Sequence, residues 1–74
     1  MDNPVIRVTG TVRYIPLEGG FFGIIGDDGQ RYDPLESLPE EFRVDGKRVS
    51  FSAKQRDGYT THMWGTAITI ISIE

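Results

Sequence analysis

Apolar and polar side chains alternate along much of the chain, and this pattern predicts β-strands. In the segment Val5–Ile15, one face carries Ile6, Val8, Val12 and Tyr14, and the other carries Arg7, Thr9, Thr11 and Arg13. A period of two is that of a strand with one buried face and one solvated face. Gly10 falls in the middle of the apolar face, which predicts a bend or a bulge where the strand curls from one sheet into another.

Two shorter strands are predicted over Phe21–Ile25 and Gln30–Asp33, after a break at Pro16. Asp28 and Gly29 stand between these two segments. An Asp-Gly pair between apolar runs predicts a tight hairpin, because both central residues of the favoured turn need positive φ. We therefore expect the second and third strands to pair with each other.

The last third of the chain predicts a fourth strand, Lys47–Gln55, and a fifth strand, Tyr59–Trp64, that continues through Thr66–Ile73. Apolar and polar residues alternate in the fourth strand, so that one of its faces is expected to be buried. Gly65 interrupts the fifth segment and predicts a bulge there.

Asp57 and Gly58 form a second hairpin signal, and the length of the turn that contains them sets the register of the last two strands. A two-residue turn places Phe51 opposite Trp64. Because Phe51 lies on the apolar face of the fourth strand, we expect Trp64 to be buried in the core.

The segment Pro34–Phe42 has a different pattern, which predicts a helix. Ser37 and Glu40 have the spacing of a capping box, and Pro39 is tolerated in a first helical turn because it needs no amide partner there. Gly46 follows closely, so we expect only one or two turns.

The predicted order is three strands, a short helical turn and two strands. Small antiparallel sheets avoid exposed edges by closing on themselves. The chain resembles a small stand-alone OB-fold domain, a five-stranded Greek-key barrel, and this implies one all-β domain with one short helical turn over residues 1–74. The resemblance is to the fold alone and is carried by Val5–Ile15 with Gly10, the Asp28-Gly29 and Asp57-Gly58 hairpins and Pro34–Phe42. An SH3-like barrel is the alternative, although its helical turn usually precedes the last strand.

Composition narrows the class of protein further. The 74 residues carry a net charge of −3 and include no cysteine, which excludes disulfides and thiolate metal sites. No apolar stretch approaches the roughly 20 residues of a membrane span, and the first residues lack a secretory pattern, so we expect a soluble cytoplasmic protein with no membrane partner. The negative charge and the lack of a long helix argue against binding to duplex DNA.

No group of residues has the spacing of a catalytic, metal or cofactor site. His62 is the only histidine and has no cysteine partner, so a structural role is favoured. Asp27, Asp28 and Asp33 lack the spacing of a calcium loop and suit turns instead. We therefore expect a protein that is not an enzyme and that holds no metal and no cofactor.

Aromatic residues mark the first of two candidate binding surfaces. In OB-folds the usual ligand surface is formed by the second and third strands with their flanking loops, which here carry Phe21, Phe22 and Tyr32. Adjacent residues of a strand point to opposite faces, so one of the two phenylalanines must face outward. We expect that ring to lie beside the Leu17–Gly20 loop and to contact a partner, unless the C-terminal tail or a bulge covers it.

Basic residues mark the second surface. If the first and fourth strands pair, Arg13 shares an outer face with Lys54 and Arg56. A solvated face whose charges discourage aggregation is the simpler interpretation of this strip.

Two functions agree with these surfaces. The first is a non-catalytic binding module for a protein, a peptide or a saccharide, using the second and third strands. The alternative is a domain that binds single-stranded nucleic acid through the same aromatic surface, although the acidic charge disfavours it.

Overall fold

The computed structural model describes residues 4–17, 19–56 and 64–74. It contains five strands: β1 (Val5–Ile15), β2 (Phe21–Gly26), β3 (Arg31–Pro34), β4 (Arg48–Gln55) and β5 (Thr66–Ile73). Between β3 and β4, one turn of 3-10 helix covers Glu40–Phe42. No helix within the described ranges is long and apolar enough to cross a membrane.

The five strands form a closed barrel in the order β1-β2-β3-β5-β4. Neighbouring strands are antiparallel, except that β3 and β5 are parallel. The helical turn follows the third strand, which does not fit the SH3-like alternative. The structure therefore confirms the predicted fold class, an all-β OB-type barrel.

Gly10 lies where β1 passes from one partner strand to the other. Its Cα is paired with Gly26 of β2 and with Val49 of β4. A Cβ atom at Gly10 would lie 2.5 Å from the carbonyl oxygen of Ile25. The predicted turning point of the long strand is thus a place where two backbones approach too closely for a side chain.

The core of the barrel consists of side chains from all five strands and from the segment after β3. Its buried apolar members are Val12, Ile24, Tyr32, Leu38, Val49, Phe51, Ala53 and Ile68. Leu38, which is only 2% exposed, comes from the connection between β3 and β4. This connection therefore contributes to the core although almost none of it is helical.

The β2–β3 hairpin is confirmed, but its loop is longer than predicted. The amide of Gly29 donates to the carbonyl of Gly26, and the amide of Gly26 donates to the carbonyl of Gln30. Gly29 has a φ of 86°. These features describe a three-residue loop that ends in a left-handed glycine.

The predicted helix over Pro34–Phe42 is wrong apart from its last residues. Pro34 belongs to β3, and the 3-10 turn has Pro39 at its N-cap with no side-chain capping bond. The Ser37–Glu40 capping box is therefore absent. A residue that precedes proline is driven into extended backbone, so Pro39 holds Leu38 outside the helix and the turn starts after it.

The predicted register of the last two strands is also wrong. Phe51 is paired with Ile73, and Gln55 is paired with Ile68. A turn of two residues after Arg56 cannot produce this pairing, because the amide of Arg56 donates to the carbonyl of Ala67. The Asp57-Gly58 hairpin and most of the predicted Tyr59–Trp64 strand, including His62, lie outside the described residues.

Candidate functional site

The two adjacent phenylalanines of β2 lie on opposite faces, as predicted. Phe22 packs against the barrel core and meets the ring of Tyr14 edge-on, with 5.4 Å between the ring centroids. Phe21 lies on the outer face and is half-buried. Its ring meets the indole of Trp64 edge-on, with 5.6 Å between the centroids.

Trp64 lies on the outside of the barrel, so its predicted place in the core is wrong. Its indole crosses β2 at Gly23, where an added Cβ would lie 2.4 Å from Cζ3 of the ring. The guanidinium carbon of Arg31, on β3, is 5.9 Å from the ring centroid. We call Phe21, Arg31 and Trp64 the Trp64 cluster.

Two glycines allow the Trp64 cluster to form. Gly23 leaves room for the indole, and Gly65, the next residue after Trp64, passes so close to β3 that a Cβ there would lie 2.7 Å from the carbonyl oxygen of Arg31. Trp64 therefore covers the outer face of β2, in place of the C-terminal tail or bulge that the sequence suggested. Trp64 itself is only partly buried, so some of its surface remains open to solvent.

Tyr32, which the sequence placed on the ligand surface, points into the barrel. It is only 5% exposed, and its ring meets Phe51 edge-on inside the barrel, with 5.8 Å between the centroids. Its hydroxyl donates to Oδ2 of Asp28 at 3.0 Å. Burial, and then the hydrogen bond to Asp28, raise the pKa of the Tyr32 phenol above its ordinary value.

The predicted pairing of the first and fourth strands is confirmed. The register places Arg7 opposite Ser52, Thr9 opposite Ser50 and Thr11 opposite Arg48. Lys54 lies in the same sheet, between Val5 of β1 and Thr69 of β5. The outer face of these strands is therefore polar, as expected.

The three basic residues predicted to bind a ligand have separate surroundings. Arg13 lies 3.8 Å from Asp45, and both side chains are about half exposed. Arg56 donates from Nε to the hydroxyl of Thr69. Arg13 of β1 is paired with Gly23 of β2, where the indole of Trp64 crosses the strand. It is therefore the one of the three basic residues that lies beside the Trp64 cluster.

An ion pair that the sequence analysis did not identify neutralises part of the polar face. The two terminal guanidinium nitrogens of Arg48, Nη1 and Nη2, donate to the carboxylate of Asp27, each at 2.7 Å. The hydrogen bonds from Arg48 lower the pKa of the Asp27 carboxyl and raise that of the guanidinium. The signal was available, because the β1–β4 pairing brings Arg48 to Thr11, near the hairpin that contains Asp27.

The two aspartates of this hairpin accept hydrogen bonds from other groups of the protein. Asp28 accepts from the amide of Gln30 and from Tyr32, and Asp27 accepts from Arg48. Across residues 4–17, 19–56 and 64–74, no three acidic or histidine side chains could together hold a metal ion.

The fold and the Trp64 cluster define an OB-type barrel domain with a mixed aromatic and cationic outer surface. Comparisons with models of known families, with curated proteins and with solved structures gave no match.

Proposed function

We propose that this protein is a non-catalytic binding module that holds a polypeptide partner on the Trp64 cluster. The observation that carries the proposal is the partly exposed indole of Trp64, which lies on the outer face of β2 in contact with Phe21 and Arg31. Tryptophan and arginine are among the residues most enriched at the interface positions that dominate binding energy. The lack of cysteine agrees with a cytoplasmic setting for such a module.

The neighbouring residues support a polypeptide partner. Ile25 and Ile15 extend the outer face of the β1–β2 sheet on either side of Gly23, and both are half-buried. Apolar surface of this kind around an aromatic and cationic centre is typical of protein interfaces, whose cores lack charged pairs but include arginine. Peptide side chains would pack on the apolar residues, and Arg31 would bind a carbonyl or carboxylate group.

Single-stranded nucleic acid is the second candidate, and one observation favours it. Arg13 and Arg31 lie on the two strands that flank β2, so both guanidinium groups border the aromatic residues. Bases stack on aromatic rings while basic groups follow the phosphates. The net charge of −3 and the ion pair between Arg13 and Asp45 weaken the electrostatic term on which such binding depends.

Selection of peptides from a displayed library against the folded protein tests the proposal. Selected peptides should shift the amide resonances of Phe21, Arg31 and Trp64, and Arg31→Ala should weaken their binding. The matched control is Arg7→Ala, which removes an exposed arginine from the half of β1 that pairs with β4.

Oligo-dT, oligo-U and a panel of oligosaccharides are titrated in parallel. Oligonucleotide binding that falls steeply with salt and is lost in Arg31→Ala would replace the polypeptide with nucleic acid as the partner. Saccharide binding at the Trp64 cluster would likewise replace it. Peptides that bind equally well to wild type, Arg31→Ala and Trp64→Ala would contradict the proposed surface.

A further inference from the structure

A second concave surface lies at one end of the barrel, between the end of β1 and the segment that follows β3. It is a groove of about 450 Å³, within the size range of ligand sites. Tyr14 and Phe22 line it from β1 and β2, and Leu35 and Leu38 line it from the segment after β3. The Trp64 cluster reaches this groove only at Phe21.

The walls of the groove are apolar and open to solvent. Tyr14 is 49% exposed and Leu35 is 43% exposed, although both are large side chains. The hydroxyl end of Tyr14 lies against the backbone of Gly20, in the space that a Cβ would take, and its ring meets Phe22 edge-on. The apolar surface is therefore in place before any ligand arrives.

The polar groups of the groove are two hydroxyls and one cation. They belong to Tyr14, Ser37 and Arg43. Within the described residues none of these three side chains has a hydrogen bond or an ion pair. The described lining includes no carboxylate, and Glu36 lines a separate groove along β5.

This combination selects a ligand by charge as well as by shape. An unpaired guanidinium favours an anion, and a carboxylate is the group that its planar donors match best. The apolar walls favour a hydrocarbon or aromatic group next to that anion. Each hydroxyl can donate and accept, so the pair also suits a peptide unit, which an alkyl carboxylate does not have.

We propose that the barrel-end groove binds the C-terminal residue of a polypeptide. Its apolar side chain packs between Phe22 and Leu35, and its terminal carboxylate binds Arg43. The hydroxyls of Tyr14 and Ser37 bond to the last peptide unit. This site shares only Phe21 with the Trp64 cluster and does not depend on the function proposed for that cluster.

The test compares N-acetyl-Gly-Phe-Leu as the free acid with the same peptide as the C-terminal amide. At roughly 5 mM, above the millimolar Kd of a weak chain-end site, the acid should shift the amide resonances of Phe22, Leu35 and Ser37. The amide should bind about tenfold more weakly, because it lacks the charge that Arg43 recognises.

Arg43→Gln should weaken binding of the free acid about tenfold, whereas the control Arg7→Gln should leave it unchanged. Both side chains are exposed, so we expect both variants to fold, and thermal melts check this. Tyr14→Phe should weaken binding of the acid and of the amide by the same factor.

Three results would overturn the proposal. The first is that the acid shifts no resonance of the groove, and the second is that acid and amide bind equally. The third is that hexanoate, which has the carboxylate but no peptide unit, binds as tightly as the peptide. That last result would reassign the groove to small carboxylic acids.

Discussion

Replacement of Gly23 by alanine tests whether the indole of Trp64 lies on β2. An alanine Cβ at this position would lie 2.4 Å from Cζ3 and 2.6 Å from Cη2 of the ring, closer than any real contact. The indole is the mobile partner, so we expect it to move away from the strand. Its contacts with Phe21 and Arg31 would then be lost.

The size of the effect follows from three opposing terms. Loss of the edge-on pair with Phe21 removes about 0.5–1.5 kcal/mol, and loss of the contact with Arg31 removes about 0.5–1 kcal/mol at an exposed site. Replacing glycine in a strand returns about 0.5–1 kcal/mol. We expect the free energy of unfolding to fall by about 1 kcal/mol, which lowers the Tm of a domain of this size by about 4–8 °C.

Fluorescence reads the same change directly, since Trp64 is the only tryptophan. In Gly23→Ala the native emission should shift to the red, and iodide should quench it more strongly than in wild type. Gly46→Ala is the matched control, because Gly46 has a φ of 91° and open space around its Cβ position. Its left-handed backbone should cost about 1–2 kcal/mol without any change in emission.

A Gly23→Ala variant with wild-type emission and wild-type quenching would refute this reasoning. It would mean that the indole does not cross the strand at Gly23, and the Trp64 cluster would lose its basis as a binding surface.

Three further outcomes follow from the structure. Gly10→Ala should lower the free energy of unfolding in urea by about 1–3 kcal/mol, since its Cβ would meet backbone atoms of β2; an equally stable variant would contradict that close approach. Tyr32→Phe should cost about 0.5–1.5 kcal/mol through the lost bond to Asp28. Because the pKa of Tyr32 is raised in the folded state, wild type should lose stability as the pH rises above the unfolded pKa of about 10, and Tyr32→Phe should lose less. Arg48→Gln should raise the pKa of the Asp27 carboxyl, measured by NMR titration. In wild type the stabilisation by this pair should be lost as the pH falls below about 4. An unchanged Asp27 titration in the variant would show that the pair does not form in solution.

Local patterns predicted most of the strands correctly. The bounds of β1 are those that the alternation over Val5–Ile15 indicated, and β5 covers the predicted Thr66–Ile73. Period-two alternation depends only on neighbours in the chain, so it can be read without knowledge of the partner strand. The shared outer face of β1 and β4 followed in turn from the strand order of the barrel.

Features that depend on register or on distant packing could not be read in this way. A two-residue turn after Arg56 predicts that Trp64 is in the core, but register also depends on which side chains the whole barrel can bury. In the structure Gln55 pairs with Ile68, so the last two strands have a different register. One signal was missed. Gly23 interrupts an apolar strand, and a glycine at such a position often marks the close approach of another group.

Tyr32 shows a different limit. Aromatic residues on the second and third strands of the barrel are equally suited to a ligand surface and to the interior. Pairing with Ile24 turns Tyr32 inward, where its hydroxyl still reaches Asp28. The choice between the two roles is therefore made by pleat and register, which the composition of β3 does not contain.

The position of β5 between β3 and β4 has a consequence for the order in which the chain folds. The β2–β3 hairpin joins residues that are close in sequence, whereas the parallel pair brings Tyr32 to Thr66. Closing a long loop is entropically unfavourable before any distant contact offsets it, and such topologies fold slowly. We expect β1, β2 and β3 to associate first, leaving β3 as an open edge. During refolding that edge is available to other chains, so aggregation should rise with protein concentration until β5 has paired with both β3 and β4.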